Sequence, residues 1–118
     1  MALDQLEHEQ DVALRYGPLV QEIFGRQAAG LRAFQLFIVA GAIMDDPEFS
    51  ARHDKAVAAW RKAKIAEYGD NFMISEGVGE LEEKQQFPLR IAEALTRAEK
   101  LLLSARLQKA GVFSRHTP

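Results

Sequence analysis

The longest uncharged stretch of the chain runs from Ala33 to Met44, A-F-Q-L-F-I-V-A-G-A-I-M, with Gln35 its one plainly polar residue. A helix that is apolar on every face has to be surrounded. The run is too short for the ~20 residues of a membrane-spanning helix, and Arg32 and Asp45-Asp46 bracket it. It therefore predicts a helix over 31–44, buried at the centre of a small helical domain.

The flanking patterns are helical too. Ala2 to Tyr16 reads as a polar helix with Leu3, Leu6, Ala13 and Leu14 on one side. Tyr16-Gly17-Pro18 predicts a stop and restart, because glycine suits the position after a helix and proline the first turn of the next. Leu19, Val20, Ile23, Phe24 and Ala28 form a narrow stripe, and Gly25 and Gly30 predict that this second helix is short. At Asp45-Asp46-Pro47-Glu48, Asp46 has the chemistry of an N-cap, Pro47 fits the first helical position and Glu48 favours the positive end of the helix. The helix so started should reach Tyr68 and end at Gly69, with Phe49, His53, Val57, Trp60, the stem of Lys64 or Ile65, and then Tyr68 inward. Glu48 and Arg52 are expected to pair on its surface.

Phe72-Met73-Ile74 with Gly77 and Gly79 predicts an ordered loop, and Glu80 to Gln86 a turn or two of helix. Pro88 marks a boundary or a kink. A last helix from Leu89 to Ala110 carries two apolar stripes and stops at Gly111, leaving 113–118 as a frayed end. Ile91, Leu95, Ala98, Leu102 and Ala105 form one stripe; Leu89, Ala92, Leu103, Leu107 and Ala110 form the other. The expected fold is all-α, a compact bundle of four to five helices around 31–44, in one domain over 1–118. Long partners at 47–68 and 89–110 complete it.

Composition narrows function more than it specifies it. At 118 residues with 47% hydrophobic and 27% charged side chains, the chain has the make-up of a folded globular domain. Fifteen Lys/Arg against 17 Asp/Glu give a net charge of -2, so no global attraction to nucleic acid or anionic lipid is predicted. The charges are segregated: acids dominate 1–27, and bases dominate from Pro88 onward. Without cysteine, disulfides, thiolate metal sites and cysteine catalysis are excluded. The acidic first turns do not fit a signal peptide, which makes a cytoplasmic location the expectation.

Candidate chemistry is sparse. No Glu-x-x-His occurs, and Glu7-His8-Glu9 spreads its side chains over different helix faces, so no metal site and no cofactor are predicted. Gly77-Val78-Gly79 lacks the Gly-Lys-Ser/Thr end of a phosphate loop, and Gly-x-Ser-x-Gly is absent. His53 is the one histidine on an apolar helix face, where a buried neutral imidazole is the plain reading and a proton carrier or haem ligand the functional one. Phe37, His53 and Trp60, with Phe34, Phe49 and Tyr68, are candidates to line an apolar pocket. Arg61, Lys62 and Lys64 beside Trp60 are the candidate nucleic-acid contacts, against the simpler reading of a solvated helix face.

The function favoured by these patterns is non-enzymatic. The chain reads as a small helical protein that works through protein–protein contacts and self-associates through Leu89, Ala92, Leu103, Leu107 and Ala110. One alternative is a DNA-associated regulator or viral DNA-packaging component. Leu19 to Ala28, the break at Gly30 and the next helix could form a helix-turn-helix, with Arg26 and Arg32 near the turn. Asp46-Pro47-Glu48-Phe49 ahead of an alanine-rich helix also resembles phage small terminase subunits, over four residues that assign no family. The other alternative is a helical enzyme or cofactor binder built on the apolar pocket.

Overall fold

The computed structural model describes the backbone of residues 2–69 and 78–112 and the side chains of 7–67 and 86–112. Of the loop expected over 72–79, residues 72–77 lie outside these, as do the side chains of 80–84 and the tail at 113–118, while Val78 and Gly79 belong to a helix. The described residues form five helices and a 3-10 turn: α1 Ala2–Phe24, the turn Gly25–Ala28, α2 Ala33–Asp45, α3 Pro47–Tyr68, α4 Val78–Ala94 and α5 Arg97–Lys109. The fold is all-α, with α2 packed on α1, α3 and α5.

The break expected at Gly17-Pro18 does not occur, and α1 runs through Pro18. A proline inside a helix costs about 3 kcal/mol through its missing donor and its ring. Leu19, Val20, Ile23 and Phe24 directly after it are all buried in the core. Side chains of this size contribute about 1.5–3 kcal/mol each when fully buried, so their docking outweighs the proline. The helix stops instead at Gly25, whose φ of 56° is a left-handed conformation costly to any side-chain-bearing residue.

Asp46 forms the joint between α2 and α3. Its N–H donates to the carbonyls of Ala42 and Ile43, closing α2. Its carboxylate accepts from the Phe49 N–H at 3.2 Å, and Pro47 occupies the first helical position of α3. From α5, 60 residues away in sequence, Arg106 donates to both carboxylate oxygens, Nε at 3.0 Å and Nη2 at 2.7 Å. The Arg106 hydrogen bond holds the Asp46 carboxyl below the usual carboxylate range, against the upward push of its burial. A bidentate guanidinium pair of this kind fixes orientation as well as charge, so one aspartate aligns three helices.

The single helix expected over 89–110 is two. α4 passes through Pro88 and ends at Ala94, and α5 starts after Thr96. Thr96 and Glu99 cap reciprocally: the Thr96 Oγ1 accepts from the Glu99 N–H at 3.1 Å, and the Glu99 Oε1 accepts from the Thr96 N–H at 2.8 Å. Glu99 also accepts from Arg52 of α3, so Arg52 does not make the expected pair with Glu48. Glu48 lies instead 3.6 Å from Arg106. At the far end of α5, Gly111 takes φ 94° and the Val112 N–H reaches back to the Leu107 carbonyl at 3.1 Å, satisfying the terminal carbonyls.

Burial corrects the picture of α2. Leu36, Val39, Ala40 and Ile43, at spacings of three and four, are buried, but Phe34, Phe37 and Ile38 are 62%, 57% and 59% exposed. The molecule is a slab of 56 × 42 × 18 Å. A helix with its side chains is about 10–12 Å across, so 18 Å holds no third layer to cover the outer face of α2. No single helix among the described residues is long and apolar enough to cross a membrane.

Candidate contact surfaces

The outer face of α2 and the side of α1 next to it make an apolar open surface. Phe34, Phe37 and Ile38 stand at i, i+3 and i+4, opposite the buried stripe. The Tyr16 ring meets Phe37 edge to face, with centroids 5.6 Å apart. Between the two helices lies an open groove of about 450 Å³, floored by Val12, Tyr16, Ala33, Phe34 and Phe37. His8, Glu9, Asp11 and Arg15 line it along α1. Arg15 is held by Asp11 at 3.1 Å, whereas Glu9 has no ion-pair partner among the described residues.

A second apolar surface lies on α5. Leu101 and Leu102 are both 62% exposed, and the neighbouring Ala98 and Ala105 are exposed as well. Arg97 and Lys109 stand at the two ends of this ridge with no ion-pair partner among the described residues. The other cations of α5 are engaged: Lys100 lies 3.5 Å from Glu22 of α1, and Arg106 is held by Asp46.

On α5 the burial of the two stripes differs from the expected one. Of the expected interface residues, Ala92, Leu103 and Leu107 are in the core, Leu89 is half-buried, and Ala110 is exposed at the end of the helix. The outward residues are Ala98, Leu102 and Ala105 from the other stripe, joined by Leu101. The break at Thr96 is the physical reason. It restarts the helix with a new phase, so the stripe of Ile91, Leu95, Ala98, Leu102 and Ala105 passes from the core side to solvent at the break, while Ala92, Leu103 and Leu107 stay in the core.

The three expected pocket residues are not gathered in one place. His53 and Trp60 both meet the buried Phe87 edge to face, at 6.2 and 5.8 Å. His53 also lines a cleft of about 680 Å³ between α1 and α4, with Leu19, Met44, Pro88 and Leu89 among its walls. Phe37 belongs to the other groove. The neighbouring Asp54 brings Oδ1 to 3.6 Å from the His53 Nδ1, longer than a hydrogen bond. Among the described residues, no three His, Asp or Glu side chains come together as metal ligands.

Arg61 and Lys64 are half-buried on one side of α3, with Lys64 3.9 Å from Glu67, while the exposed Lys62 is turned about 100° from Arg61 and about 160° from Lys64 on the helix. They form no single basic stripe. The axes of α1 and α2 do turn by 110° at the break, an angle within the helix-turn-helix range. The face that α2 presents outward is nevertheless Phe34, Phe37 and Ile38, which has no donors or acceptors for base edges. No family model, curated protein or solved structure matches the chain.

Proposed function

We propose that this chain is a non-enzymatic contact protein that associates with copies of itself, and that the outer face of α2 is its working surface. The observation that carries the reading is the exposure of Phe34, Phe37 and Ile38 side by side above an apolar groove. Single exposed apolar residues are ordinary on protein surfaces, but a contiguous aromatic and aliphatic cluster marks a contact site. Covering the open halves of three such side chains is worth about 1 kcal/mol each, from 1.5–3 kcal/mol for full burial. Association costs at least about 4 kcal/mol in lost freedom, so the partner has to bring apolar surface of its own. A second copy meets that requirement, because each chain displays both the α2 face and the Leu101–Leu102 ridge.

The α2 face has no net basic character beside it: Glu9 and Asp11 line its groove and Asp45 ends its helix, against Arg15 in the groove and Arg32 at the helix start. That favours a protein partner over nucleic acid or an anionic bilayer. Sedimentation velocity across the micromolar range tests the reading. The expected result is a species heavier than the 13.2 kDa chain that dissociates on dilution. A monomer at every concentration contradicts it, as does binding of the monomer to neutral lipid vesicles through the same three side chains.

A further inference from the structure

We infer that the two exposed apolar surfaces are the two halves of one head-to-tail contact: the α5 ridge of one copy docks in the α1–α2 groove of the next. The inference rests on the reading of the α2 face as a self-contact surface, and adds which surface it meets. Shape is the first argument. The α2 side offers a groove, floored by Val12, Tyr16 and Phe37, and the α5 side offers two adjacent leucines flanked by the small Ala98 and Ala105. Small neighbours let a helix approach closely, so Leu101 and Leu102 can act as the knobs that a groove accepts.

Charge is the second. Glu9 lines the groove without an ion-pair partner among the described residues, and Arg97 and Lys109 bracket the ridge in the same condition. Of the charges beside them, Asp11 is held by Arg15 and Lys100 by Glu22 within the chain. An acidic groove and a basic ridge fix orientation and favour encounter. A two-fold pairing of α2 on α2 leaves Leu101 and Leu102 in water and leaves Arg97 and Lys109 without acids. The head-to-tail contact covers both surfaces of each copy, and it closes into a ring or extends as a filament depending on the angle between copies.

Complementation between two variants tests this. One carries Phe34→Asp and Phe37→Asp, which spoils the groove and spares the ridge; the other carries Leu101→Asp and Leu102→Asp, which does the reverse. All four side chains are more than half exposed, so both variants should keep the circular dichroism and melting of the native monomer. Phe37→Gln and Leu101→Gln serve in their place where either doubly charged variant does not fold. Head-to-tail docking predicts that each variant alone sediments as a monomer, and that mixing the two yields a dimer that grows no further. Wild-type association by the ridge variant, with none by the groove variant, overturns the docking and leaves the α2 contact standing. Unaltered association by the groove variant, or none by the native chain, removes both. Glu9→Lys should weaken association about two- to five-fold, as expected for an exposed ion pair. Arg97→Glu with Lys109→Glu in the partner copy should restore it, and loss without restoration overturns the charge pairing.

Discussion

The two faces of α2 are built from the same kind of residue and meet opposite fates. Leu36, Val39, Ala40 and Ile43 lie against α1, α3 and α5 with almost no exposure, while Phe34, Phe37 and Ile38 remain more than half open to water. Hydrophobicity alone does not distinguish them; Phe and Ile occur outside, Leu and Ile inside. What distinguishes them is the supply of covering elements. Five helices in a slab 18 Å thick cover one side of α2 and leave the other. Apolar character states that a side chain favours cover, and the cover can come from the same chain or from another.

Substitutions on each side sharpen this contrast. The largest effect is expected inside: Ile43, fully buried, should cost about 2–5 kcal/mol on change to Ala, read as a shifted urea midpoint. A cost under 1 kcal/mol there would break the contrast. Next comes the joint that holds the inner face in place. Asp46→Ala removes an N-cap worth ~1 kcal/mol together with a charge-assisted pair worth ~1.5–3, so a loss of about 2–3 kcal/mol is expected once the partly exposed Arg106 regains water.

The same carboxylate predicts an acid response. The Arg106 hydrogen bond lowers the Asp46 pKa in the folded chain relative to an unfolded value of about 3.9. Its contribution is therefore fully present above that unfolded value and is lost as pH falls through the folded one. Unfolding free energy measured from neutral pH down through this window should fall more steeply for the native chain than for Asp46→Asn, which keeps a cap acceptor but does not titrate. Equal slopes would remove Asp46 from the acid response. Thr96→Ala should cost about 1 kcal/mol through the cap of α5. The smallest effect is expected outside, where Ile38→Ala should change the stability of the monomer by under ~0.5 kcal/mol.

What the chain reveals before folding follows the range of each interaction. The α2–α3 joint is legible because Asp46, Pro47 and the capped Phe49 amide are neighbours in sequence. Its partner Arg106 is not, since no local pattern selects it from the other cations near the C-terminus. The Thr96-Arg97-Ala98-Glu99 cap has the local signature of a helix start, yet the apolar positions on either side run on at helical spacing and read as one helix. Pro18 shows the opposite error, a strong local signal overridden by the burial of the four side chains after it. The exposure of Phe34, Phe37 and Ile38 is hidden behind a sound rule. An apolar run does favour burial, but periodicity does not reveal how many layers the chain can stack.

The central claim is that the outer face of α2 is a surface and not a core. Phe37→Asp, followed by sedimentation for mass and by urea unfolding at dilutions where the native chain is monomeric, tests it most directly. The account predicts a folded 13.2 kDa monomer with nearly native stability, at concentrations where the native chain associates. A variant that unfolds as an aspartate at Ile43 would, or that associates as the native chain does, contradicts it.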